Sequence, residues 1–453
     1  MTTAVRRAGA FAAVGTLVLV LPAYGVAAAA PLALAALVGA AFVTDGPLFE
    51  LFARPGDREE NRLYGLLGFV LSLTGLGLLT TASILTTGDV PELPLYVFVG
   101  TVLLLVYGNL CSELVKRYRR GPFAASTGFM AGGFVASVAG QALTIWLTTD
   151  TVPTDVLPKL AFLAASGAFL GALLRALLFE RDDSLVLFSV GLLLWLLSEL
   201  APQVHYQDVA AAILVTLALG YVSYALQTAS VEGMLTGILL SVLTIVLGGL
   251  GWFSLLITFF GVGALATKFR YDIKKDRGVA EENDGARGTG NVLGNAAVAL
   301  ASVLGFAAAT VGLLPVDATY FLFAFAGSLS TALSDTLSSE VGAIFDNPRL
   351  VTTWKRVEPG TDGAVTWQGE LAGIAGALAM GIIAIAVFPG VDPSMTVTPT
   401  GGGIVLLAGV AGMTVDSLLG ATIEGPVVGN QGVNFLATLS GAIVAVAAFV
   451  FLL

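Results

Sequence analysis

Gly327-Ser328-Leu329-Ser330-Thr331-Ala332-Leu333-Ser334-Asp335-Thr336-Leu337-Ser338-Ser339-Glu340 breaks the pattern of an otherwise oily chain. Hydrophobic runs of spanning length follow one another on either side. This run has the same length but carries two carboxylates among serines and threonines. Acids inside a membrane helix are costly and mark a site more often than packing. A polar stretch comes next: Pro348-Arg349-Leu350, then Lys355-Arg356, then Pro359-Gly360-Thr361-Asp362-Gly363. Acid, base and glycine in succession point to a metal-bound, phosphate-bearing ligand at the cytoplasmic membrane surface.

Composition sets the class. Of 453 residues, 56% are hydrophobic and 11% charged, with a mean hydropathy of +0.90. Soluble domains carry about a quarter charged residues, so the chain reads as an all-α, polytopic membrane protein. The net charge of −10 argues against nucleic acid as a partner. The single cysteine, Cys111, excludes an intramolecular disulfide. The single histidine, His205, falls in a short predicted external loop, where a solvated or packed role outweighs a catalytic one.

Runs long enough to span a bilayer number about fifteen. The first, starting behind Arg6 and Arg7, reads as a retained helix rather than a cleaved signal sequence. Cations gather in four loops on one side: around Arg54–Arg62, Lys116–Arg120, Lys268–Arg287 and Arg349–Arg356. The opposite loops hold Asp89, Glu92, Asp150, Asp155, Asp208, Asp317 and Asp392. The cationic side is expected to face the cytoplasm, with the chain in the plasma membrane.

The two halves also resemble each other. Gly167–Glu180 aligns without gaps with Gly327–Glu340, placing Arg175 where Asp335 stands. Thr127-Gly128 echoes Thr289-Gly290, and Gly220–Gly233 echoes Gly412–Gly425, with Tyr224 in the place of Asp416. Two same-orientation six-helix repeats are therefore expected. Residues 1–62 would be flanking helices, 63–232 a degenerate scaffold repeat, and 233–453 the active repeat with cytoplasmic loops 268–290 and 341–368.

Candidate chemistry concentrates in the second copy. Asp335 shares a helix face with Ser338, Ser339 and Gly342, whereas Glu340 lies about 140° round from Asp335 on an ideal helix. A bend near Val341-Gly342 would be needed for Asp335 and Glu340 to meet one cation. Asp416 is the second acid within a span. Asp335 and Asp416, on different helices, are expected to hold Mg²⁺, which favours carboxylates together with phosphate oxygens; an interhelical hydrogen bond is the competing reading of Asp416. Arg287, Asn291 and Asn295, four apart, suit an anionic group, and interhelical hydrogen bonds explain the asparagines nearly as well. Arg349 and Lys355, the turn Gly360-Thr361-Asp362-Gly363, and Asn434 complete the candidate phosphate and nucleotide set. No P-loop or Rossmann turn is present.

At these residues the sequence resembles the integral-membrane family numbered ninety-two among domains of unknown function. That family includes animal transmembrane protein nineteen and the phytyl-phosphate kinase of plant vitamin E synthesis. Arg287–Asn295 is similar to its Arg-x-x-x-Gln-Val-Leu-x-Asn segment, with Asn291 in place of Gln. Ser334–Gly342 is similar to its Gly-Asp-Thr-x-x-Ser-Glu-x-Gly, and Pro348–Gly369 to its Pro-Arg-Leu-Ile-Thr and Gly-Thr-Asn-Gly-Gly-Val segments, with Asp362 in place of Asn. Asp416–Ala421 and Val433-Asn434-Phe435 complete the pattern. The resemblance covers roughly residues 224–453. It implies phosphorylation of an isoprenoid (prenyl) monophosphate to the diphosphate, with a nucleoside triphosphate as donor; CTP or ATP is the expected donor, and Asp335, Asp416 and Glu340 are the expected catalytic residues. A multi-span transporter or lipid flippase, and a cytidylyltransferase forming a CDP-lipid, are the alternatives.

Overall fold

The computed structural model describes residues 3–25, 28–81, 91–178, 183–201, 203–226, 229–280, 288–388, 396–425 and 427–453. Arg287, Asp89, Asp392 and Glu180 lie outside the described residues. The helices, in order, are α1 (Thr3–Tyr24), α2 (Ala29–Phe42), α3 (Gly46–Phe52), α4 (Pro55–Glu60), α5 (Tyr64–Leu79), α6 (Leu95–Val115), α7 (Pro122–Thr149), α8 (Leu157–Leu177), α9 (Asp183–Leu200) and α10 (Tyr206–Leu226). There follow α11 (Val231–Gly248), α12 (Leu250–Lys268), α13 (Tyr271–Asp276), α14 (Thr289–Thr310), α15 (Thr319–Gly342), α16 (Trp367–Val387), α17 (Pro399–Gly420) and α18 (Asn430–Leu452). The strands β1 (Arg349–Leu350) and β2 (Ala364–Val365) pair antiparallel between α15 and α16.

The all-helical membrane class holds, but fifteen spans is too many. Among the described residues, 12 helices are long and apolar enough to cross a bilayer, or up to 13 with one bent pair. Three expected spans account for the difference. The run at 30–49 breaks by 106° between Ala33–Phe42 and Gly46–Phe52, where Pro47 follows a glycine of positive φ. Among the described residues, the run at 63–87 contains the 16-residue α5. The third is α15, which has length enough but too many polar residues.

The chain divides into two compact units, Met1–Ile213 and Leu214–Leu453, with the division inside α10. In the first, Arg54 and Arg175 both bind the Asp183 carboxylate. Arg175 thus serves an ion pair at the position where the second unit has Asp335.

In the second unit α15 is the hub, packed by α12, α14, α16, α17 and α18. That explains its composition: a helix enclosed by protein has no need of a lipid-facing apolar surface. Ser328, Ser330, Thr331 and Ser334 are fully buried. Thr331 donates to the Gly327 or Ala408 carbonyl (3.0 and 3.1 Å), and Ser334 to that of Gly373 (2.8 Å). Small residues on the neighbours let backbones close in on it, as expected where lipid offers no hydrophobic drive between helices. A Cβ added at Gly327 would stand 2.8 Å from the Gly441 carbonyl oxygen, and one at Gly373 2.8 Å from that of Ser334. One end of this unit is filled by rings: Trp252, fully buried, meets Phe306, Phe325 and Phe388 at centroid distances of 4.6, 4.7 and 6.4 Å.

Gly441→Leu places side-chain atoms against Thr331 and 3.0 Å from the Gly327 carbonyl. Overpacking of this kind costs roughly 1–3 kcal/mol. Thermal unfolding in detergent should show a lowered midpoint for this variant and little change for Gly261→Leu, where a Cβ meets nothing within 4 Å.

Candidate functional site

At the end opposite the ring cluster, five helix termini converge on one cavity of about 380 Å³, within the range of small-molecule sites. The C-terminal ends of α15 and α17 supply Asp335, Thr336, Ser338, Ser339, Glu340, Asp416 and Ser417. The N-terminal ends of α14 and α18 supply Asn291, Asn295, Asn430 and Asn434, and Thr366 caps α16. Gly360–Thr366, the turn and β2, form one wall, and Glu424 lies just past α17.

The two acids proposed to converge do so. The Asp335 and Asp416 carboxyls are within hydrogen-bonding reach of each other. Asp416 Oδ1 is buried without a hydrogen-bond partner among the described residues. Neither acid has an ion pair among the described residues, and none of the described cavity-lining residues is a lysine or arginine. An orphaned carboxylate oxygen beside a second carboxyl fits a divalent cation of the Mg²⁺ type, which takes one or two carboxylates and completes its shell with phosphate and water.

Glu340 behaves differently. The helix is continuous through Gly342, and Glu340 has a partner other than the Asp335 site. Its Oε2 instead pairs with Lys274 Nζ at 2.5 Å. Lys274, on α13, is wholly buried and also donates to the Ala266 and Thr267 carbonyls (3.1 and 2.6 Å) that end α12. Arg277 ties the same segment to the Ala343 and Phe345 carbonyls and to Asp346. Loops 268–290 and 341–368 therefore meet at one end of the unit.

The phosphate candidates separate into two groups. Asn291, Asn295, Gly360, Thr361, Asp362, Gly363 and Asn434 all line the cavity. Asn295 and Asn434 are buried, 4% and 7% exposed. Arg349 and Lys355 do not line it: Arg349 Nη1 donates to the Trp354 carbonyl at 2.7 Å, and both side chains are solvent-exposed. The turn is fixed by its glycines. Gly363, with φ of 71°, packs so closely on the end of α17 that a Cβ would clash with Ala421 N and lie 2.6 Å from the Ser417 carbonyl.

Two acids of this region lay outside the candidate set. Glu370 accepts from Ser338 Oγ at 3.4 Å and stands near enough for its charge to act on Asp335. An acid in the first turn of a helix is ordinary, so no sequence signal distinguished it. Glu424, the second, lies just past the end of α17. Burial, then Asp362, then Asp416 push its carboxyl above the usual range.

The family model for integral membrane protein DUF92 matches residues 214–442, beginning where the second unit begins. The chain belongs to this family. An uncharacterised membrane protein of Methanocaldococcus jannaschii is 33% identical over 221 residues, 48% of this chain and 83% of that protein. One from Synechocystis is 34% identical over 209 residues, 45% and 76% of the two chains. The chloroplastic protein VTE6 of Arabidopsis thaliana is 31% identical over 226 residues, 48% of this chain and 64% of its own length. No solved structure matches the chain.

Two outcomes follow for this family fold. Lys274→Met leaves the largely buried Glu340 carboxylate without its partner, a loss of about 3–5 kcal/mol; unfolding measurements should show the double variant Lys274→Met/Glu340→Gln recovering much of it. In metal-free protein, Glu424 binds its proton more tightly folded than unfolded. Its contribution to stability is thus present at low pH and lost as pH rises from the ordinary Glu value of about 4.3 through the raised one. Titrating stability should show this slope, and Glu424→Gln should flatten it.

Proposed function

We propose that the second unit is a membrane-embedded kinase that converts an isoprenoid monophosphate to the diphosphate, using CTP or ATP with Mg²⁺. The observation that carries this reading is the meeting of Asp335 and Asp416, from separate helices, inside a polar cavity with no basic residue among its described lining residues. Two anionic substrates entering such a site require a cation. The family resemblance, which takes in a plant prenyl-phosphate kinase, supports the substrate class.

Asp335 and Asp416 would hold Mg²⁺, which supplies charge neutralisation on the phosphates when bound. The chain itself orients the rest. Asn291, Asn295 and Asn434 offer carboxamide N–H groups to non-bridging phosphate oxygens, near the N-terminal turns of α14 and α18, where helix dipoles favour anions. The Gly360–Gly363 turn closes one side. A phosphate oxygen of the acceptor attacks the donor's γ-phosphorus, the bond from that phosphorus to the β–γ bridging oxygen breaks, and the nucleoside diphosphate leaves. The acceptor oxygen is already anionic, so no general base is needed, and catalysis rests on position and charge. Glu340 has no part in this step; it is a structural partner of Lys274. The cationic loops support a cavity mouth on the cytoplasmic side of the plasma membrane, where soluble nucleotide is available.

The test is purified protein with farnesyl or phytyl monophosphate, Mg²⁺ and a panel of triphosphates. Prenyl diphosphate and nucleoside diphosphate should form, and Asp335→Asn or Asp416→Asn should lower turnover by about a hundredfold or more. Release of pyrophosphate instead would identify a cytidylyltransferase. Vesicle uptake that needs Asp335 or Asp416, with no triphosphate turnover, would identify a transporter.

A further inference from the structure

Asp335 and Asp416 account for only part of the negative charge at the cavity. Asp362, in the turn wall, and Glu424, beyond α17, line it too. These two face each other closely enough for their charges to interact, and Asp416 also acts on Glu424. A Cβ built on Gly420 would stand 3.3 Å from Glu424 Oε2 and 2.9 Å from the Gly363 nitrogen, so the Glu424 carboxylate lies directly beside the turn that carries Asp362. Both acids sit on fixed backbone. The Asp362 turn is clamped by Gly363 against α17, and Glu424 precedes Gly425, which has φ of 82°. Glu424 is further held by a bridge to Val428.

Neither side chain has a hydrogen bond or ion pair among the described residues. Like charges held close by rigid loops repel. The cavity supplies no internal relief, since Lys274, the one described lysine bound to its lining, is spent on Glu340. A separate sign of a ligand is Asn434. It is 7% exposed, it lines the cavity, and its carboxamide has no hydrogen-bond partner among the described residues. A buried amide and two unpaired carboxylates around one space call for something that offers oxygens to the amide and positive charge to the acids.

We propose that Asp362 and Glu424 hold a second divalent cation at the mouth of the cavity, separate from the one at Asp335 and Asp416. One divalent ion balances only half the charge of the four carboxylates; a second balances the rest before an anionic ligand enters. Paired metals on either side of a transferring phosphoryl group are an established arrangement. The inference rests on the metal reading of Asp335 and Asp416, and its test separates the two.

Mn²⁺ alone would be titrated into the detergent-solubilised full chain, with free ion followed by electron paramagnetic resonance. The wild-type protein should bind about two ions per chain. Asp362→Asn and Glu424→Gln should each lose about one while still unfolding in one cooperative thermal transition, and Asp335→Asn/Asp416→Asn should lose the other. A single ion that survives Asp362→Asn and Glu424→Gln but disappears in the Asp335/Asp416 variant overturns the second site and leaves the first standing. A single ion with the reverse dependence supports the Asp362–Glu424 site and overturns the first. No bound ion overturns both. Because Asp362 lies on an exposed turn, its variant remains informative if Glu424→Gln unfolds.

Discussion

Two carboxyl groups held within hydrogen-bonding reach in the low-dielectric interior of a helix bundle dominate the second unit. Nothing in their immediate surroundings among the described residues supplies a counter-charge. The arrangement persists only because α15 and α17 are locked together by glycine contacts and by hydroxyl-to-carbonyl hydrogen bonds. Those bonds explain why the hub helix is written in serine and threonine. A polar helix would be expelled from lipid contact, so α12, α14, α16, α17 and α18 surround it, and that enclosure aims its C-terminal turn into the cavity.

The placement of charge repeats one logic with different outcomes. Where an acid is meant to be silent, the chain provides a partner from another segment: Lys274 for Glu340, and Arg54 with Arg175 for Asp183. Asp335, Asp362, Asp416 and Glu424, left without one among the described residues, line the cavity. Pairing, more than residue type, separates scaffold from site.

Much of this was readable from the chain alone, because the bilayer imposes a length on every apolar run and makes a buried acid conspicuous. The convergence of Asp335 with Asp416 and the asparagine faces of α14 and α18 follow from helical spacing and from the alternation of spans. Other features were hidden for physical reasons. The 106° break after Phe42 depends on local backbone at Gly46 and Pro47, inside what looks like a continuous apolar run. Helix phase showed that Glu340 points away from Asp335, but its partner lies 66 residues distant on a short helix with no periodic signature. Arg349 and Lys355 were placed by adjacency in sequence, and the strand pair turns them outward instead. The family match, confined to residues 214–442, assigns no role to the first unit.

The aromatic cluster around Trp252 fills the end of the second unit opposite the cavity. On the proposed kinase reading, a product headgroup would occupy the same amides and acids as fresh substrate, so its release would set an upper limit on turnover.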